Sequence, residues 1–212
     1  MTKSKTIRQK LAQLKKTDTI FQIFGASTHK YDLAPPVPEE QIRAFEKAHQ
    51  ISLPTEYRAF LLEIGGGGAG PHYGLTAFAE CLGHADRDEP FSLQTAFPYT
   101  NYWNVKNDDS ALTPDEYRVY EAEYFHNKHI VGSIFVCHEG CGYNTLLIVS
   151  GTERGTIWLD GRVSDGGIGP LSTYHPSSPE RIAPLYQSVD DKRIGFMEWY
   201  EHWLDTSLSK FI

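Results

Sequence analysis

Three short apolar runs constrain this chain more than anything else in it. They cover 133–138, 143–150 and 156–160, and only short glycine-bearing loops, 139–142 and 151–155, separate them. Runs of this length bounded by glycine read as strands. A parallel pair needs a crossover of about a dozen residues or more, so these strands must pair antiparallel. In the second run Thr145, Leu147 and Val149 project to one side, and Leu146 and Ile148 to the other. Both sides are apolar, which predicts a central strand with helices on at least one face.

The helices flank this core in sequence. Pro35, Pro36 and Pro38 form a stiff lead-in, and Glu39 and Glu40 then sit in a first helical turn, where carboxylates meet exposed amides. Ile42, Phe45 and His49 give that helix its inner stripe. Pro54 starts a second helix, since a first-turn residue needs no amide hydrogen. Its apolar face is Tyr57, Phe60, Leu61 and Ile64, and the run Gly65 to Gly68 ends it. Tyr73, Leu75 and Phe78 suggest a short strand and turn. Thr113, Pro114 and Glu116 spell a capping box, and Tyr117 and Tyr124 continue the helix. A last helix of about four turns within 193–206 carries Phe196, Trp199, Tyr200, Trp203 and Leu204 on one side. At the start, Ile7, Leu11 and Leu14 form a stripe among Lys3, Lys5, Arg8, Lys10, Lys15 and Lys16. This reads as a solvated helix lying on the domain, with a helix for an acidic partner or membrane as the alternative. Ile20, Phe21, Ile23 and Phe24 look like a docking patch. The expected organisation is an N-terminal helical extension, 1–34, and one domain, 35–212, with an insertion around 79–130.

Charge and motif chemistry narrow the function. Lys and Arg number 20 against 27 Asp and Glu, a net charge of −7. No excess positive charge exists to draw a nucleic-acid backbone. Four Trp, 12 Tyr and 11 Phe exclude a disordered acidic tail. The longest apolar strings, such as 146–149, fall far short of the roughly 20 residues a bilayer requires, and no secretory h-region follows the polar start. Cys81, Cys137 and Cys141 are too few for a disulfide framework, which points to a reducing, cytoplasmic setting. The four-glycine run follows a helix and lacks a following Lys-Ser or Lys-Thr, so it is not a phosphate loop. Cys137, His138 and Cys141 raise zinc, but adjacent strand residues diverge, and no metal or other cofactor is expected. Cys141 with His126, His129 or His138, and Asp160 as orienter, has no oxyanion motif around it. Asp160 with Asp165 is the only local carboxylate pair, and Asp165-Gly166-Gly167 reads more simply as a turn. No catalytic residue is assigned.

Three ordered stretches carry a resemblance. They are 53–61 (LPTEYRAFL) with Gly65 to Gly68 and Tyr73-Gly74-Leu75; 138–143 (HEGCGY) with the following strand and 155–160 (GTIWLD); and 196–204 (FMEWYEHWL). In this order they resemble the SMI1/KNR4 family of the SUKH superfamily. The resemblance implies a single α+β domain, a central antiparallel sheet packed by helices. It implies a non-catalytic protein-binding role, as an immunity protein that neutralises a cognate toxin, often a nuclease. Fungal relatives instead imply a scaffold or regulatory role in cell-wall and growth control. An enzyme of unrecognised class stays open as a third reading. The loops 65–70 and 139–142 and the segment 160–167 are expected to lie around one exposed surface, and the candidate protein-binding residues in or beside them are Gly67, Gly68, Tyr143, Trp158, Asp160 and Asp165. Trp158 reads equally as an interface anchor or a core residue. Acidic groups at Asp86, Asp88, Glu89, Asp108, Asp109 and Asp165 would suit a basic partner.

Overall fold

The computed structural model describes residues 3–105, 112–171 and 193–211. Asp108 and Asp109 lie outside the described residues. Among the described residues six helices surround a four-stranded antiparallel sheet in one α+β domain. The helices are α1 (Lys3–Thr17), α2 (Ala26–His29), α3 (Glu39–His49), α4 (Thr55–Glu63), α5 (Pro114–Phe125) and α6 (Phe196–Ser209). The strands are β1 (Ser133–Gly140), β2 (Tyr143–Ile148), β3 (Ile157–Asp160) and β4 (Ile168–Pro170), and they pair in chain order as a meander.

The alternation in β2 sorts two cores. Leu147, with Val149 just past the strand, joins Ile134, Val136, Ile157 and Leu159 beneath the helices. Leu146 and Ile148 face the other way, onto Phe97, Ile130, Trp158 and Ile168. β1 carries a bulge: Phe135 pairs with Leu146 and Cys137 with Thr145, which leaves Val136 as the extra residue. The bulge lets Val136 and Cys137, though adjacent, both reach the main core. β4 had no sequence signal, because Gly169 and Pro170 are poor strand formers. It forms at the sheet edge, where Trp103 and Ile168 exchange two backbone hydrogen bonds of 2.8 Å.

The helices dock by the expected faces. Tyr57, Phe60, Leu61 and Ile64 are buried, and Phe60 meets Phe196 and Tyr200 edge-on at 5.1 and 4.9 Å. Glu56 of α4 accepts the Met197 amide and so satisfies the start of α6, which has no side-chain cap of its own. The stripe of α1 enters this same core: Ile7 and Leu14 are fully buried. Arg8 donates to the Glu63 and Ile64 carbonyls at the end of α4, tying α1 down. Beyond α1 the buried Asp18 carboxylate accepts from the Gln22 and Ile23 amides and from the Tyr31 hydroxyl. Burial pushes that carboxyl up, but these hydrogen bonds outweigh it and hold it below the ordinary value. Of the patch that follows α1, Ile23 is buried, Phe21 is half-buried, and Ile20 and Phe24 are exposed.

The glycine run extends the sheet sideways. Leu75 bridges to Cys137 of β1, Gly68 to Leu75, and Leu33 to Gly68. Gly68 has φ 98°, and a Cβ there would lie 2.5 Å from the Asp32 carbonyl oxygen. Only glycine tolerates both the backbone conformation and the approach.

Candidate functional site

The most exposed feature of the sheet is the β1–β2 hairpin tip. Its two loop residues, Cys141 and Gly142, have φ 50° and 87°. Positive φ at both positions matches the twist of the flanking strands. Cys141 and His138 are exposed, and His138 Nδ1 accepts the Gly140 amide at 3.2 Å. Cys137 is buried, its Sγ 3.1 Å from the Pro71 carbonyl oxygen. The two adjacent side chains thus diverge. Among the described residues no three His, Cys, Asp or Glu side chains are grouped to hold a metal ion. Burial pushes the Cys81 thiol up to about 12, and burial, with the Glu139 carboxylate adding to it, raises Cys137 well above its ordinary value. Neither is a thiolate at neutral pH.

Two walls hold the tip. On one side stands an aromatic ridge: Phe24 and Tyr73 meet at 5.3 Å between ring centroids, and Tyr73 reaches His138 at 6.2 Å. On the other side lie Val163, which is exposed, and Ser164, whose Oγ accepts from the Tyr143 hydroxyl at 2.6 Å. A Cβ at Gly140 would strike Tyr73, and one at Gly142 would strike Val163. A cleft of about 140 Å³ opens beside the ridge, lined by Phe24, His72, Glu139, Trp199, His202 and Trp203 among others. In it His72 Nε2 lies 3.4 Å from a Glu139 oxygen, and the other oxygen of Glu139 accepts from Thr145 at 2.6 Å.

The sequence-derived candidates separate on inspection. Tyr143 is half-buried and Asp165 exposed, both beside the hairpin tip. Trp158 is completely buried in the second core, where it meets Phe97 at 4.9 Å and its Nε1 donates to Thr156. Of its two readings the core residue is the one realised. Asp160 is also buried, so it is not a surface acid. Arg162 grips it with Nε to Oδ1 at 2.9 Å and Nη2 to Oδ2 at 2.8 Å. The same guanidinium donates to the Tyr124 carbonyl at 2.9 Å, joining β3 to the end of α5. Gly67 is buried and Gly68 half-buried in the lateral extension of the sheet. The hairpin loop and the 162–165 turn therefore adjoin, whereas 65–67 are buried in the lateral extension of the sheet, beyond Leu75, and not on that surface. Sequence reasoning missed the Phe24–Tyr73 ridge and Val163, because their adjacency is created by turns distant in sequence. The glycines at 140 and 142 were the available signal, since each marks a close approach.

Among the described residues no helix is long and apolar enough to cross a membrane. No match to the chain was found among curated proteins or among solved structures. The model of one family, described as SMI1 / KNR4 family (SUKH-1), matches residues 36–191, from the approach to α3 through the whole sheet. With that span and the α+β meander it encodes, the chain belongs to the SMI1/KNR4 (SUKH-1) family.

Proposed function

We propose that this protein is a non-catalytic immunity protein that binds and neutralises a cognate toxin. The observation that carries the reading is the family match over 36–191, since members of this family are typically immunity proteins of polymorphic toxin systems. The net charge of −7 favours a basic toxin, of which a nuclease is the leading kind. The functional unit in this reading is 35–212, with 1–34 supporting it through α1. Tyr143 and Asp165 belong to the rim of the hairpin-tip surface, while the buried Trp158 and Asp160, and Gly67 and Gly68 in the lateral extension of the sheet, act by holding the fold that carries it. The test is calorimetry of the purified protein against the product of the neighbouring gene. Saturable binding is the expected result. Absence of binding, or a neighbour that is no toxin, favours the scaffold reading.

A further inference from the structure

Tyr124 is the one buried residue of helix α5, and Arg162 grips the helix end through the Tyr124 carbonyl. The Tyr124 hydroxyl donates to Asn104 at 2.6 Å and accepts the Gly167 amide at 3.1 Å, and its ring stacks on Trp103 at 5.5 Å. The rest of the helix is largely in solvent. Three of its large apolar residues are exposed: Val119 by 71%, Phe125 by 45% and Tyr117 by 42%. Residues four apart share a helix flank, so Tyr117, Glu121 and Phe125 form one exposed stripe, while Val119 faces outward. Scattered apolar residues are ordinary on a surface. On α5 they make partial contacts, with the Arg162 guanidinium 5.7 Å over the Phe125 ring and Tyr117 6.3 Å from Tyr120 between ring centroids, yet each keeps a large share of its surface open to solvent, where a helix held only by an inward apolar face would carry polar groups.

Charge defines what this face can receive. Asp115, Glu116, Glu121 and Glu123 are all exposed on the helix. The loop bearing Asp86, Asp88 and Glu89 is tied to the end of α5 by Asn127. The Asn127 side chain accepts the Asp86 amide at 2.9 Å and donates to the Asp86 carbonyl at 2.7 Å, while its own amide donates to the Glu89 carboxylate at 2.6 Å. Among the described residues the basic groups near them include Arg87, Arg118, Lys128 and Arg162, and the last three already pair with Asp115, Glu123 and Asp160, while His126 lies 3.6 Å from the Glu89 carboxylate. Positive charge is concentrated elsewhere, on α1, with Lys5, Arg8, Lys10, Lys15 and Lys16. α1 packs into the main core, whereas Tyr124 stacks against the second, so the sheet separates the two charges.

We infer that the exposed flank of α5 carrying Tyr117, Glu121 and Phe125, together with the 86–89 loop, is a docking surface for a basic protein. Tyr117 and Phe125 are its apolar anchors, and the carboxylates supply the complementary field. The inference rests on the partner-binding reading above and places the contact on the sheet face opposite α1. A second copy offering its basic α1 is the other available occupant, and two chains of −7 repel each other.

The test uses the full chain and the purified product of the neighbouring gene as probe. Tyr117→Ala with Phe125→Ala should weaken binding about 30-fold, the conversion of a typical hot-spot loss. Glu121→Lys should weaken it more at low salt than at high salt. Tyr117→Ala alone, at an exposed position, keeps the comparison valid if the double variant folds poorly. Unchanged affinity in Tyr117→Ala, the double variant and Glu121→Lys overturns this surface while the partner-binding reading stands. No binding by the unaltered protein overturns both. Sedimentation that finds a dimer of the unaltered protein, lost in Tyr117→Ala, overturns the basic partner in favour of a second copy.

Discussion

Replacing Asp160 with Ala should damage the fold rather than a contact surface. The Asp160 and Arg162 side chains are 8% and 5% exposed, and the guanidinium makes two hydrogen bonds to the carboxylate. Asp160→Ala leaves Arg162 buried with the Tyr124 carbonyl but no counter-charge. Removing one partner of a buried pair costs about 3–5 kcal/mol, most of it the penalty of the stranded charge. For a domain of this size each kcal/mol moves the melting temperature by about 2–4 °C, so the expected fall is about 6–20 °C. Replacing both partners by apolar residues, Asp160→Leu with Arg162→Met, removes the stranded charge and should recover much of the loss. Urea denaturation of the three proteins measures this directly. A single variant within about 1 kcal/mol of the parent, or a double variant no more stable than the single, would mean that a stranded Arg162 charge is not what destabilises the fold.

Leu14→Ala should cost about 2–5 kcal/mol by chemical denaturation, because α1 is part of the main core and not a dispensable extension. Gly68→Ala should cost about 1–3 kcal/mol from backbone strain alone, and more from the contact with the Asp32 carbonyl, read from the same urea curves. Burial pulls His29 and His84 from an ordinary 6.5 down to about 4. The unfolded chain therefore binds the extra protons, and stability that is complete above about pH 6.5 declines as the pH falls towards 4. Between pH 7 and 5 each group should remove about 2 kcal/mol, and a flat stability profile over that window would contradict the assignment.

Local chemistry was legible where one segment determines its own state. The antiparallel pairing of β1 to β3 followed from loop lengths, and the two-sided apolar pattern of β2 marked a central strand with helices on at least one face. The Thr113 capping box formed as spelled, with the Thr113 side chain and Glu116 both engaged. What the sequence concealed was produced by distant segments meeting. The Val136 bulge, β4 and the Trp103 pairing depend on partners and not on propensity. Asp160 read as a surface acid because Arg162, two residues on, carries no label saying that both will be buried. Trp158 was ambiguous for the same reason, since an indole at a strand end serves core and interface alike until Phe97 covers it. The Phe24–Tyr73 ridge joins segments separated by the α3–α4 pair, and no periodicity links them.

As an immunity protein, the role proposed above, this chain would protect against one specific toxin by binding it. The most direct measurement is growth of cells expressing the product of the neighbouring gene, with and without this chain. If that product is the cognate toxin, growth stops without this chain, is restored by it, and is not restored when the same chain is set against an unrelated toxin. Equal killing with and without this chain, in cells where both proteins are present and folded, would contradict it.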